Sequence, residues 1–130
     1  MSPEQLWRFL PVGYCLTVLI ETPVLLLGLS RRHPLRRRLF AAVWLNACSY
    51  PVVVLVLPLL LDPSTPGYLA VAEAFAPLAE CALFWLGFGT RAERFRASMW
   101  RDFAAITLAN LASFAVGEWL RTWGWFGPLR

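Results

Sequence analysis

The chain has 130 residues, of which 58% are hydrophobic and 15% are charged, and its formal net charge is +4. This composition excludes an ordinary soluble domain, because four long apolar runs separated by short polar loops make up most of the length. The positive charge lies in loops beside the apolar runs, where it orients a membrane protein and does not indicate nucleic-acid binding. We expect one all-α membrane domain over residues 1–130, folded as a four-helix transmembrane bundle.

The basic residues of the chain are all arginine, twelve in number. With the many alanines, leucines and prolines, they are typical of a GC-rich bacterial genome. We therefore expect the protein in the inner (cytoplasmic) membrane of a bacterium.

A cleaved signal peptide and a cysteine-based site are both disfavoured. The first apolar run contains Glu21, and no small-x-small cleavage site follows it, so we expect it to remain as a span. Cys15, Cys48 and Cys81 lie in separate runs without paired spacing. This arrangement predicts neither a zinc site nor a disulfide, and we expect the three side chains to serve in packing.

The first predicted span covers residues 6–29, about 36 Å of helix, which crosses a ~30 Å hydrocarbon core with some tilt. Tyr14, Thr17 and Glu21 fall at helical spacing and form a polar stripe. Pro23 removes a backbone donor just after Glu21 and predicts a kink there. An irregular backbone beside an intramembrane acid points to a site.

The loop at residues 30–38 contains five arginines and the only histidine, His33. Its main expected role is to keep this side of the bundle in the cytoplasm. The alternative is a patch that binds anionic lipid head groups, each basic residue contributing about 1 kcal/mol. That patch would consist of Arg31, Arg32, Arg36, Arg37 and Arg38. His33 is expected to be solvated.

The second predicted span, residues 39–61, carries no charge but contains Asn46 and Ser49. Pro51 cannot donate a backbone hydrogen bond, so it predicts a free carbonyl oxygen near Asn46. The following turn, residues 62–67, has no basic residue.

The third predicted span, residues 68–89, contains the carboxylates Glu73 and Glu80 and a proline, Pro77. A carboxylate in the middle of such a helix costs roughly 2.5 to 3.5 kcal/mol on insertion, so neither glutamate is expected to face lipid. Seven residues apart, they differ by about 20° around the helix and by about 10 Å along it. Both are therefore expected to point into the bundle.

The last part of the chain contains two predicted elements. Residues 90–102 carry four arginines and two acids and predict a short amphipathic helix or turn on the membrane surface. The fourth predicted span, residues 103–126, contains Asn110, Ser113 and Glu118. It ends in three tryptophans, which are typical of a membrane interface.

The distribution of arginine predicts the orientation. The loops after the first and third spans carry five and four arginines, whereas the termini and the middle loop carry only Arg8, Arg121 and Arg130. Since cytoplasmic loops are enriched in arginine, both termini are expected on the non-cytoplasmic side.

The depth of the polar residues predicts a ring across the bundle. Counted from the cytoplasmic end of its span, each member lies seven to nine residues in, or about 10 to 14 Å. The ring has one member on each helix: Glu21, Asn46, Glu80 and Asn110. Glu73 and Glu118 lie nearer the outer face and are expected to form the access route to the ring.

An internal match predicts a duplicated hairpin. Segments 46–50 and 110–114 both read Asn-x-x-Ser-aromatic. Each follows a helix that carries a glutamate near a proline, Glu21 in the first half and Glu80 in the second. The two halves would run parallel about an axis along the membrane normal, with the ring at their interface.

Four short signatures stand out along the chain. They are Glu21-Thr22-Pro23, Asn46-x-x-Ser49-Tyr50-Pro51, Glu73 with Glu80, and Asn110-x-x-Ser113. In these signatures the chain resembles a family of small, uncharacterised four-span bacterial membrane proteins, and the resemblance covers most of its length. The family implies the four-span fold and no activity that could be transferred.

The favoured interpretation of the ring is transport. Carboxylate, amide and hydroxyl oxygens suit protons, Na⁺ or a hard divalent cation, so we predict cation- or proton-coupled transport or channel activity. The candidate ligand residues are Glu21, Asn46, Ser49, Glu73, Glu80, Asn110, Ser113 and Glu118. No cofactor is expected apart from a bound cation, whose identity the residues leave open.

Two alternatives remain. The ring would be structural in a membrane subunit or assembly (scaffold) protein, because interhelical hydrogen bonds contribute about 0.6 kcal/mol each on average. An intramembrane hydrolase would use a glutamate as base and an asparagine as oxyanion donor, but the spans contain no histidine and no Gly-x-Ser-x-Gly. The expected partners are the lipid bilayer, its anionic head groups, and either a second copy of the chain or a larger membrane complex.

Overall fold

The computed structural model describes residues 3–90 and 96–125, and its regular structure over these residues consists of helices alone. The helices are α1 (Pro3–Gly28), α2 (Leu35–Leu60), α3 (Pro66–Phe88) and α4 (Ala97–Thr122). All four are long and apolar enough to cross a membrane. The predicted all-α fold with four helices that could span a membrane is confirmed for the described residues.

The four helices form a closed ring in which each packs on two neighbours. α1 contacts α2 and α4, and α3 contacts the same two helices, so α1 and α3 lie diagonally across the bundle. Large apolar side chains such as Leu19, Leu27 and Leu59 point outwards. Outward-facing apolar side chains suit a lipid environment, which solvates them as well as a protein core does.

The fully buried apolar core occupies the end of the bundle near the arginine-rich loops. Its main members are Leu25, Leu29, Leu45, Phe84 and Ile106. α1 and α4 approach closely here, because a Cβ atom on Gly28 would lie only 2.7 Å from the Cβ of Ala105. Small residues at such a crossing allow the two backbones to pack together. The core therefore closes this end of the bundle.

α2 contains a wide turn directly after Pro51. The segment Val52–Val56 is π-helical, and the Leu57 N–H bonds to the Val52 carbonyl, five residues back. This shift frees the Val53 carbonyl, whose next donor would be residue 58, a proline without an N–H. The Tyr68 hydroxyl of α3 donates to that oxygen at 3.3 Å. The carbonyl that Pro51 was expected to free near Asn46 is a different one, and that expectation stays a prediction.

The turn before α3 is fixed by short side chains. The Asp62 carboxylate accepts hydrogen bonds from the Ser64 N–H at 2.9 Å and the Ser64 hydroxyl at 2.7 Å. These bonds hold the pKa of Asp62 below its usual value, the backbone bond contributing most. Thr65 then caps α3 by accepting from the Tyr68 N–H, and proline occupies the first helical position.

One detail of the predicted elements is corrected. The expected surface helix at residues 90–102 is not a separate element, because α4 begins at Ala97 and includes residues 97–102; residues 91–95 lie outside the described part of the chain. The helix continues through this polar stretch because Asp102, its buried acid, is fully hydrogen-bonded. α1 continues as helix through Pro23 up to Gly28, and the kink expected at Pro23 stays a prediction.

Candidate functional site

Glu21 of α1 is completely buried in the middle of the bundle. Its Oε2 accepts a hydrogen bond from Asn46 Nδ2 of α2 at 2.8 Å, and its Oε1 contacts Ser113 Oγ of α4 at 2.7 Å. Both partners therefore come from the two helices that flank α1.

Glu80 of α3 has the same environment on the opposite side of the bundle and is 1% exposed. Its Oε2 accepts from Asn110 Nδ2 of α4 at 2.8 Å, and its Oε1 accepts from Ser49 Oγ of α2 at 2.6 Å. Each glutamate thus binds the asparagine of its own hairpin and the serine of the other hairpin. The predicted ring is present, and the two serines are direct members of it.

The orientation of the asparagines follows from their second bond. Asn46 Nδ2 also donates to the Ala42 carbonyl, and Asn110 Nδ2 donates to the Ile106 carbonyl, each at 3.0 Å. A carbonyl only accepts, so the amide nitrogens must face it. Within residues 3–90 and 96–125, neither amide oxygen receives a hydrogen bond.

The Ser113 hydroxyl faces two oxygen atoms. It lies 2.7 Å from Glu21 Oε1 and 2.9 Å from the carbonyl oxygen of Asn110. A serine hydroxyl has a single hydrogen and cannot donate fully to both. If Ser113 donates its hydrogen to one of these two oxygens, the contact with the other oxygen needs a hydrogen from another group.

Neither ring glutamate pairs with a basic side chain in the described part of the chain. The ion pairs recorded there join Asp102 to Arg32 and His33, and Glu118 to Arg121. The charges of the two ring carboxylates are consequently not compensated within the ring.

A cavity of about 320 Å³ lies directly against the ring. Both ring glutamates and both asparagines line its inner end. From there it extends towards the helix ends that carry Phe9, Tyr68 and Arg121, the end of the bundle where α1 begins and α4 ends. The ring is therefore the floor of a cavity that leads towards one side of the bundle.

The two other predicted acids line the same cavity at different distances from the ring. Glu73 is half-buried in the α3 wall and makes no hydrogen bond to any described residue. Glu118 lies nearer the opening and forms an ion pair with Arg121, with a shortest distance of 2.7 Å. Their position along the cavity agrees with an access route, and their use as ligands stays a prediction.

The opposite end of the bundle is closed by a buried polar cluster that the sequence did not reveal. Asp102 is fully buried and accepts from the Ser30 N–H at 2.6 Å and from Arg32 Nη2 at 2.9 Å. His33 Nε2 lies 3.1 Å from the same carboxylate. The cluster ties the α1–α2 loop to the start of α4 over the apolar core.

The expected solvation of His33 is wrong. Its side chain is 2% exposed and packs edge-on against Phe84 at a centroid distance of 5.2 Å. Burial lowers the pKa of His33, an effect that the hydrogen bond to Asp102 opposes and the charges of Arg32 and Arg37 reinforce.

The five arginines of the predicted lipid patch divide into two groups. Arg32 binds Asp102, and Arg38 donates to the Leu26 carbonyl at 2.7 Å, so both support the end of α1. Cationic groups at a helix C-terminus also complement its partial negative charge. The remaining three, Arg31, Arg36 and Arg37, are exposed. For these three, head-group binding stays a prediction.

A metal centre built from side chains is not evident. Among the described residues, no three His, Cys, Asp or Glu side chains converge in a way that could hold a metal ion. The ring instead combines two carboxyl groups with neutral hydroxyl and amide groups.

Comparison of the chain with protein-family models, with curated proteins and with solved structures finds no match. The resemblance to small four-span bacterial proteins accordingly stays a prediction, and the function has to be inferred from the site itself.

Proposed function

We propose that the protein is a proton-linked carrier of a bacterial inner membrane, with Glu21 and Glu80 as its proton-binding pair. The observation that carries this proposal is the burial of both carboxyl groups at the floor of a cavity without a basic partner among the described residues. Burying an uncompensated ion costs several kcal/mol even after relaxation of the protein. Two such groups in one buried ring are stable only when a proton or another cation accompanies them.

The hydrogen-bond geometry at Ser113 supports a proton on the carboxyl group of Glu21. If Glu21 carries the proton on Oε1, that O–H donates to Ser113 Oγ, and the serine hydrogen is free to bond the Asn110 carbonyl. Both short contacts are then satisfied. A carboxylate at Glu21 would leave one of them without a hydrogen.

The one-sided cavity suits a carrier. The ring is approached from the end of the bundle that holds the termini, whereas the apolar core and the Asp102 cluster close the other end. Carriers expose a central site to one side of the membrane at a time. By the arginine distribution, this cavity opens to the non-cytoplasmic side, and the two hairpins are the repeats that would rock against each other.

A structural role for the ring is the second candidate, and one observation favours it. All four carboxyl oxygens of Glu21 and Glu80 already contact a side-chain donor, so the ring holds the helices together without any ligand. Glutamine supplies similar shape and hydrogen bonds without the charge. Substitution by glutamine therefore separates the two candidates.

The test measures thermal unfolding of the purified wild type, Glu21→Gln, Glu80→Gln and the double variant from pH 6.5 to 9. If the folded ring retains a proton that the unfolded chain releases, wild-type stability falls with rising pH, by up to about 1.4 kcal/mol per pH unit for one proton. The double variant should lose this dependence and remain folded. Glu4→Gln, at an exposed carboxylate of α1, is the matched control and should behave as wild type.

The same variants are compared in Na⁺, Mg²⁺, Ca²⁺ and Mn²⁺. A proton site predicts that none of these ions stabilises the wild type more than the double variant. A selective shift with one ion would assign the pair to that cation. Identical curves for all proteins in every condition would leave the ring as structure.

A further inference from the structure

We infer that the cavity binds a small primary or secondary organic ammonium ion with an apolar group, the solute that exchanges with protons at the ring. This substrate class rests on the proposed function. It follows from three independent properties of the cavity lining: its charge, its free hydrogen-bonding groups and its aromatic surface.

The charge of the lining selects a cation. Among the described residues, four glutamates line the cavity against one basic residue, Arg121, which is bound by Glu118 through contacts of 2.7 and 3.1 Å. Glu21, Glu73 and Glu80 are left without a basic partner among the described residues. An anion entering this space would meet acids on two helices, whereas a cation would compensate them.

The free hydrogen-bonding groups of the lining favour a ligand that donates hydrogen bonds. The amide oxygens of Asn46 and Asn110 and the carboxyl oxygens of Glu73 receive no hydrogen bond within the described chain. Among the described lining groups without a recorded partner, the hydroxyls of Thr17 and Tyr50 can also donate. Since acceptors predominate, an ammonium group with N–H bonds fits, and a quaternary ammonium, which has none, does not.

The remaining lining selects an apolar group on the same ligand. Four aromatic residues line the cavity on all four helices: Phe9, Tyr50, Tyr68 and Phe114. Aromatic faces stabilise both an apolar chain and a neighbouring cation. A volume of about 320 Å³ is at the lower end of the range for small-molecule pockets, which favours a single ring or a short alkyl chain.

The ligand and protons should compete, because both would bind next to Glu21 and Glu80 at the floor of the cavity. An ammonium group placed at the asparagine oxygens stands beside both ring carboxyl groups and stabilises their ionised forms. Binding should therefore release a proton from the ring. By linkage, protons should weaken ammonium binding to the same extent.

The experiment uses phenethylammonium as probe and titration calorimetry on the purified full-length protein at pH 7.5. Two matched compounds test the donor requirement and the charge requirement: phenethyl-trimethylammonium lacks N–H bonds, and 2-phenylethanol lacks the charge. Titration into protein-free detergent corrects for partition. We expect saturable binding of phenethylammonium and at least tenfold weaker binding of both analogues.

The variant that tests the site is Glu73→Gln, because Glu73 lies in the cavity wall without a hydrogen-bond partner and its loss should not disturb the fold. We expect it to weaken phenethylammonium binding at least tenfold, whereas Glu4→Gln should bind like wild type. Equal binding of the alcohol and the ammonium ion, absence of saturable binding, or equal affinities of the two variants would overturn the inference.

Proton release, read from titrations in buffers of different ionisation enthalpy, separates this inference from the proposed function. Ammonium binding without proton release supports the ammonium site and contradicts a proton-linked carrier. Absence of ammonium binding, with the pH dependence of the ring glutamates intact, overturns the substrate class and leaves the proton site standing.

Discussion

At the scale of single residues, the buried acids of this chain have two different environments. Asp102 is fully buried and compensated by Arg32, His33 and the Ser30 N–H, an arrangement that fixes structure. Glu21 and Glu80 are equally buried, but within the described part of the chain they contact only neutral donors. A basic side chain balances the charge of Asp102, whereas the described residues place no basic side chain against Glu21 or Glu80. This contrast separates the structural end of the bundle from the candidate site.

His33 should make the protein sensitive to acid. Burial lowers its pKa, and the buried Nδ1 has no partner among the described residues, so a doubly protonated ring would carry an unsatisfied N–H. The unfolded chain binds a proton near pH 6.5, the folded chain only at lower pH. Stability therefore falls as the pH drops below about 6.5 and is unaffected by His33 above it.

The variant His33→Gln keeps a donor towards Asp102 and removes the titration. We expect it to be about 1 to 2 kcal/mol less stable than wild type at pH 8, through lost contact with Phe84, and to lose less stability between pH 6.5 and 5. Thermal unfolding midpoints over this range measure the difference. Parallel curves for the two proteins below pH 6.5 would show that His33 is not responsible.

The ring could be predicted from the sequence and the Asp102 cluster could not, for a physical reason. In a membrane-spanning helix each residue adds about 1.5 Å, so counting from the loop places Glu21 and Asn110 at one depth without any tertiary information. The contact between His33 and Asp102 joins positions 69 residues apart and depends on how a loop folds over a helix end. A histidine in a loop is usually solvated, and no local sequence pattern predicts its burial.

At the scale of helices, the close approach of α1 and α4 depends on Gly28. Replacing it by alanine would place the new Cβ 2.7 Å from that of Ala105, closer than carbon atoms tolerate. Although alanine favours helix by up to about 1 kcal/mol, we expect Gly28→Ala to destabilise the protein by about 1 to 3 kcal/mol. Thermal unfolding of the purified variant measures this effect.

Gly117 of α4 provides the matched control, because a Cβ atom there would meet nothing within 4 Å. Gly117→Ala should be neutral or slightly stabilising. The double variant with Ala105→Gly should restore much of the stability lost in Gly28→Ala, since it removes the opposing methyl group. Equal effects of the two glycine substitutions would contradict a tight α1–α4 crossing.

Helix ends were predicted less well than helix centres. The predicted spans start at residues 6, 39, 68 and 103, whereas the helices start at Pro3, Leu35, Pro66 and Ala97. Hydropathy marks the part of a helix that lies in hydrocarbon, and charged residues at its ends are solvated by head groups and water without ending the helix. In α4 the helical residues before the predicted start include Asp102, whose hydrogen-bond partners lie in the α1–α2 loop.

At the scale of the whole molecule, the two hairpins contribute the same kinds of hydrogen bond to the ring. Glu21 takes an asparagine from its own hairpin and Ser113 from the other, while Glu80 takes an asparagine from its own hairpin and Ser49 from the other. Parallel repeats about an axis along the membrane normal would give the same pattern, and the repeat predicted from the two Asn-x-x-Ser segments stays a prediction. A carrier built this way would move its halves about the ring itself.

The orientation of the bundle decides which side of the membrane the cavity serves. Ser64, in the turn before α3, and Leu35, at the start of α2, are both exposed and lie at opposite ends of the bundle. In a variant whose native cysteines are replaced by serine, we expect a cysteine at Ser64 to react with a membrane-impermeant thiol reagent added outside the cell. A cysteine at Leu35 should react only after the membrane is opened, because the arginine-rich loops should face the cytoplasm.

Labelling after cell lysis controls for the intrinsic reactivity of the two positions. If only the cysteine at Leu35 reacts in intact cells, the cavity opens to the cytoplasm, and the ring exchanges protons with that side. An ammonium ion from the cytoplasm would then displace protons from Glu21 and Glu80, because the two compete for the same carboxyl groups. The expected labelling, with Ser64 outside, instead lets protons enter the cavity from the acidic side and displace the bound cation from Glu21 and Glu80 to the outside.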